Sequence, residues 1–187
     1  LKHQRPTPLR ARAGARAAGR AMALPPVVCI AYVGTDNTLL FFRSFRDELT
    51  RGDEQASGGD LEAQLLVFTA LDQVDSHLKA AAQAQQRGEN RADPYLGVLS
   101  PALLDCEDCC VYGYVSAARV KVLVGVRGAG RRRDDRLEEG AMQRLLRQLH
   151  VLYVDAACNP FYDGLEKDSF HGKVARLVEQ HSAPLPH

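Results

Sequence analysis

The chain has 187 residues, 45% hydrophobic and 25% charged, an ordinary globular composition that suffices for one domain with a full core and is too short for two. No apolar run approaches the roughly 20 residues of a membrane-spanning helix, and the densest stretch, Pro25 to Val33, has the length of a strand. The net charge of +1 is uneven: Lys2, Arg5, Arg10, Arg12, Arg16 and Arg20 lie in the first 21 residues without an acid, leaving 18 basic against 23 acidic residues elsewhere, a balance that argues against a phosphate backbone and hence against nucleic acid as a partner.

In chain order, residues 1–25 are expected to be a basic, disordered extension, because low hydrophobicity and like charges cannot build a core. The extension lacks the apolar segment of a secretory signal. Its Arg- and Ala-rich character resembles a transit peptide, but Met22, just ahead of the first strand-like segment, is expected to be the natural start. The folded domain is expected over residues 26–182, with a short tail at 183–187. Pro26–Val33 is β-branched and apolar, a buried strand. Gly34-Thr-Asp-Asn37 is turn chemistry, and Thr38–Phe42 is the returning strand of a hairpin. Residues 44–59 form a polar loop, within which Arg51-Gly-Asp53 is a chance triplet. Asp60 caps a long helix to about Gln86.

Asp93-Pro94 breaks the chain before a short strand, Tyr95–Leu99. A second strand, Cys110–Val115, turns at Ala117-Ala118 into a third, Val120–Val126. The loop Arg127–Arg136 that follows, with Gly128, Gly130 and the arginine run 131–133, is expected to be solvated. A helix from about Leu137 to Ala156 follows, stopped by Asn159-Pro160. Asp168-Ser169 caps the last helix, which runs to about His181. The order is ββαβββαα. Successive strands imply hairpins, hence an antiparallel sheet and a layered α+β domain.

The sequence offers little for catalysis. It contains no phosphate loop of the GxxxxGK type and no locally activated Ser, Cys or Thr nucleophile. Cys106-Glu-Asp-Cys109 has zinc-ligand spacing but no second pair to complete four ligands, so neither metal nor cofactor is expected. The five cysteines, an odd number without a secretion signal, are expected to be reduced thiols of an intracellular protein. His150, between Leu149 and Val151, lies off the apolar stripe of its helix and is expected to be a partly exposed structural histidine. Asn159-Pro-Phe-Tyr162 matches a sorting-signal pattern that works as an exposed peptide. Placed between two helices, its Phe161 and Tyr162 are expected instead to add aromatic area to the core.

The long first helix carries two apolar lines. Val67, Ala70, Leu71, Val74 and Leu78 form one stripe. Leu61, Leu65 and Phe68 form another, on a different side of the helix and continued by Asp72. The second is either a margin of a wide core face, covered by loop 44–59, or a surface for a protein partner. The penultimate helix is simpler: Met142, Leu145, Leu146, Leu149, Leu152 and Tyr153 give one face.

Several segments together resemble the sedlin family of TRAPP vesicle-tethering subunits: Leu71-Asp-Gln-Val-Asp75, Tyr95-Leu-Gly-Val-Leu99, Val111-Tyr-Gly-Tyr-Val115, Val120-Lys-Val122, Leu149-His150, Cys158-Asn-Pro-Phe-Tyr162 and Ser169-Phe170. The resemblance covers about residues 27–181. It implies a longin (profilin-like) fold, a five-stranded antiparallel sheet with one helix on one face and two on the other. It also implies an adaptor subunit without catalytic residues, bound to other TRAPP core subunits and indirectly to Rab GTPases. Such a subunit is cytoplasmic and perinuclear, peripheral to endoplasmic reticulum and Golgi membranes. Family members meet their neighbours through the first-helix side, and the first aspartate of the LDxVD pattern falls on Asp72, so Leu61, Leu65, Phe68 and Asp72 are the candidate interface. Loops 44–59 and 127–136 look expanded relative to the family. Two other readings stand beside this one. Another longin-type adaptor or a SNARE regulatory domain is one, although no heptad coiled coil or anchor occurs in the 187 residues. A thiol or zinc enzyme built on Cys106 and Cys109 is the other.

Overall fold

A computed structural model describes residues 24–45, 59–88, 93–99, 109–127, 135–161, 164–165 and 167–182. Its elements are β1 (Val27–Val33), β2 (Leu39–Ser44), α1 (Gly59–Gln86), β3 (Tyr95–Leu99), β4 (Cys109–Val115), β5 (Lys121–Arg127), α2 (Asp135–Ala157) and α3 (Asp168–Ser182). The order is the ββαβββαα expected from the sequence, and the five strands form one antiparallel sheet in the order β2-β1-β5-β4-β3.

Both hairpin turns use a residue in the left-handed region. In the β1–β2 turn the Gly34 N–H donates to Thr38 O at 2.8 Å. Asn37 takes φ 63°, which asparagine tolerates better than most side chains. In the β4–β5 turn Arg119 takes φ 60°. Ser116 spans that turn, its N–H donating to Val120 O and its hydroxyl accepting from the Val120 N–H at 3.0 Å. Val120, expected as the first residue of β5, therefore closes the turn instead.

Alternation along the strands sends side chains to two cores. On one face Ala31, Val33, Leu99, Val111 and Leu123 pack under α1, against Ala63, Leu66, Val67, Ala70, Leu71 and Val74. On the other Ile30, Tyr32, Tyr112, Val122 and Val124 pack under α2 and α3, against Met142, Leu145, Leu146, Leu149, Phe170 and Val174. One helix thus covers one face and two cover the other. Leu24, ahead of β1, is buried with this second core, and its N–H donates to His181 O at 3.3 Å at the end of α3. Tyr32 lies at the centre of an aromatic cluster with Phe41, Tyr153 and Phe170. Its buried hydroxyl donates to Leu149 O at 2.9 Å, and burial pushes that phenol well above the ordinary tyrosine range.

One expectation holds and one is corrected. Gly125 lies in β5, within the strand expected at residues 120–126. A Cβ there would sit 2.7 Å from Cys29 Sγ and 3.3 Å from Leu66 Cδ2, so the missing side chain is what lets α1 approach the sheet. Phe161 is not in the core: it is 84% exposed, because α2 ends at Ala157 and the following turn carries the ring outward. Tyr162, Gly128, Gly130, Arg131–Arg133, Cys106 and loop residues 46–58 lie outside the described residues.

Candidate partner interface on the first helix

The helix α1 carries Asp60 and Glu62 in its first turn, where acids favour the positive end of the helix dipole. The side chains Ala63, Leu66, Val67, Ala70, Leu71 and Val74 are all at most 5% exposed and define the face laid on the sheet. Leu61, Leu65 and Phe68 are 71%, 48% and 45% exposed, and Asp72 is exposed with them. At 100° per residue this line lies roughly 160° from the centre of the buried face. The separation is this wide because Ala63 and Leu66 extend the core face in the opposite direction. The second apolar line is therefore exposed and set apart from the buried face of the helix.

The two aspartates of Leu71-Asp-Gln-Val-Asp75 behave differently. Asp75 points toward the sheet side. Its carboxylate is 3.6 Å from Lys121 Nζ, a side chain only 3% exposed, and accepts from Asn37 Nδ2 at 3.5 Å. Lys121 also donates to Asn37 Oδ1. These three residues tie α1 to the β1–β2 turn and to the start of β5. A buried ammonium needs such partners. Next to them the Asp36 carboxyl is held below its ordinary value, first by its hydrogen bonds with Thr38, with Lys121 adding a smaller attraction.

Asp72 takes no part in this network. Among the described residues no side chain bonds or pairs with its carboxylate. Its backbone carbonyl accepts from Ser76 Oγ at 2.9 Å, and Thr69 Oγ1 turns back onto Leu65 O and Leu66 O at 2.9 and 3.0 Å. The polar side chains beside the stripe are thus satisfied within the helix, while the acid at its end is left to solvent. The sequence marked Leu61, Leu65, Phe68 and Asp72, and the structure brings all four onto one exposed face. Sequence reasoning missed Lys121 and Asp75, whose only signal was membership of two separate motifs.

A family model described as Sedlin matches residues 32–180. The chain belongs to the sedlin family. The match runs from within β1 to within α3, so it takes in β2 to α2 whole and parts of β1 and α3. Among curated proteins the chain is similar to the trafficking protein particle complex subunit 2-like proteins of Bos taurus and Rattus norvegicus, each 31% identical over 156 residues, covering 82% of this chain and 97% of the relative. The corresponding protein of Dictyostelium discoideum is 28% identical over 158 residues, covering 81% and 96%. The layered sheet is the architecture implied by the sedlin resemblance.

Proposed function

We propose that this sedlin-family chain is a non-catalytic adaptor subunit of a TRAPP-type vesicle-tethering complex, docked on a neighbouring subunit through Leu61, Leu65, Phe68 and Asp72. The observation that carries this reading is the exposed apolar line opposite the buried face of α1, ending in an aspartate that pairs with nothing among the described residues. Spacing of i, i+4, i+7 and i+11 is that of a helix presenting anchors to an apolar groove. The names of its relatives, subunits of a trafficking protein particle complex, support the kind of partner. In this reading the link to Rab GTPase activation is indirect, through the assembled complex. The place of action is the cytoplasmic side of endoplasmic reticulum and Golgi membranes, reached without a membrane span of its own: no described helix is long and apolar enough to cross a membrane.

Asp72→Tyr tests it. Replacing an interface anion with a bulky ring removes a charge-assisted contact and adds a clash, about 2 kcal/mol or more at a hot spot, and so at least roughly tenfold weaker binding. The isolated chain should lose under about 0.5 kcal/mol of stability, as exposed substitutions do. The assay pairs a melting curve with recovery of TRAPP subunits by pull-down. A folded variant that still recovers every subunit defeats the proposal, and a strongly destabilised one shows that Asp72 supports the fold instead.

A further inference from the structure

The outward side of α1 carries its charges in a fixed order. From Gly59 to Leu78 the helix holds Asp60, Glu62, Asp72 and Asp75 and neither lysine nor arginine; Lys79 and Arg87 come only after them. Helical geometry places each charge relative to the Leu61–Leu65–Phe68 line. Asp60 and Glu62 lie about 100° to either side of it, in the first turn, where the helix dipole accounts for them. Asp75 is held by Lys121 and Asn37. Arg87 and His77 lie about 70° and about 150° away. Asp72 and Lys79 stand on the line itself, because seven residues come within about 20° of two full turns, and both are exposed. From the N-terminus the face is apolar at Leu61, Leu65 and Phe68, then acidic at Asp72, then basic at Lys79, over roughly 27 Å.

Asp72 gives no advantage to the helix that carries it. It stands in the middle of 28 residues, away from the terminal turns where the dipole acts. Aspartate is a poor helix former, and Asp75, three residues on, is a like-charged neighbour. Neither Asp72 nor Lys79 makes an ion pair among the described residues, and at roughly 10 Å apart along the axis they do not reach each other. A local rule broken without gain to the fold marks a functional position.

Desolvation sets the chemistry of the partner. Phe68 and Asp72 are one turn apart, with Cβ atoms about 5–6 Å from each other, so a surface that covers the ring also takes water from the carboxylate. A carboxylate desolvated without a counter-charge is costly. We propose, resting on the docking role given to α1 above, that the partner is a protein groove with an apolar floor for Leu61, Leu65 and Phe68, a lysine or arginine facing Asp72, and beyond it a carboxylate facing Lys79. The order of the charges then fixes the direction of the helix. Turned end for end, the apolar side chains would meet the ionic end of the groove and Asp72 and Lys79 its dry floor, which rejects that register.

The test uses the full 187-residue chain and, as probe, the purified TRAPP subunit that the wild type recovers and Phe68→Ala does not. Affinity for the probe is measured at low and high salt for the wild type, Asp72→Asn, Asp72→Glu, Asp72→Lys and Lys79→Glu. Asp72→Asn should bind at least about tenfold more weakly than wild type, and Asp72→Lys more weakly again. Asp72→Glu should keep most of the affinity, and Lys79→Glu should lose about threefold or more. Raising salt should weaken the wild type more than Asp72→Asn, and changing the facing lysine or arginine of the probe to glutamate should restore binding to Asp72→Lys. Every variant should melt within a few degrees of the wild type, Asp72→Asn at or above it. Binding as tight as wild type by Asp72→Asn or by Lys79→Glu, or an equal salt dependence of Asp72→Asn and wild type, overturns the proposal while leaving α1 docking in place. If Phe68→Ala recovers every subunit, the docking role and the proposal fall together. Self-association of the wild type that Phe68→Ala abolishes also overturns the proposal, because the occupant is then a second copy. So does melting of Asp72→Asn more than a few degrees below the wild type, because the carboxylate then serves the fold.

Discussion

Asp75→Ala isolates the polar knot between α1 and the sheet. Coulomb's law at the 3.6 Å separation from Lys121 Nζ gives roughly 5 kcal/mol at an effective dielectric of about 20 and about 1 kcal/mol at that of water. Asp75 is itself partly open to solvent, at 39%, so the net value belongs toward the lower end. Removing the carboxylate leaves a buried ammonium with Asn37 as its remaining partner in the network, and a buried charge stripped of its counter-ion is costly. The expected loss is about 2 kcal/mol, or roughly 4–8 °C in melting temperature for a chain of this size. Lys121→Met in the Asp75→Ala background removes the stranded charge while filling the same space, and should recover most of that loss. Urea denaturation of the wild type, both single variants and the double variant gives the coupling directly. If the two substitutions simply add, or if Asp75→Ala melts with the wild type, the knot does not hold α1 and the assignment of different roles to Asp72 and Asp75 fails.

Three further outcomes follow from the packing. Gly125→Val should destabilise by about 1–3 kcal/mol, the usual cost of overpacking, because its side chain meets Cys29 Sγ and Leu66 Cδ2; thermal melting reads it, and an unchanged melt would mean that α1 does not sit as close as described. Tyr32→Phe keeps the aromatic cluster but loses the bond to Leu149 O, about 1 kcal/mol, measurable as a shifted urea midpoint. His150 lies tilted against Tyr114, with ring centroids 5.1 Å apart, and burial lowers it below its ordinary value of 6.5. The unfolded chain therefore binds the proton more readily, so the contribution is present above that value and is lost as pH falls through the lower folded value; His150→Phe should flatten the decline of the urea midpoint between about pH 7 and about pH 5, and an identical decline would refute it.

Element type was legible because period and punctuation agree. The alternation and β-branching of Val27–Val33, the Gly34–Asn37 turn and the heptad-like face of Met142 to Leu149 each had one reading, and the structure bears each out. The outward line of α1 was visible by angle, but whether it faced solvent was not. That depended on which neighbours the core would recruit, and Ala63 and Leu66 settled it. Gly125 was legible as part of a strand, but its purpose, close approach of Cys29 and Leu66, involves residues distant in sequence. Local pattern misled at one place. Phe161 was assigned to the core on its hydrophobicity, whereas the Asx bond to Asn159 directs the chain elsewhere. The Lys121–Asp75–Asn37 knot joins three elements and has no one-dimensional signature.

The sheet order has a consequence for synthesis on the ribosome. β1 is wholly buried and pairs with β2 on one side and with β5 on the other, Val27 opposite Val126 and Val33 opposite Lys121. Its second partner emerges roughly 90 residues later, about 5–20 s at ordinary elongation rates. Until then the nascent N-terminal hairpin shows an unpaired, strongly apolar strand edge, the kind that templates aggregation. α1, which is made in the interval, can shield one face of that hairpin but not its open edge. Completion of β5 is thus the step that joins the two halves of the sheet, and the nascent chain is most in need of a chaperone before that point.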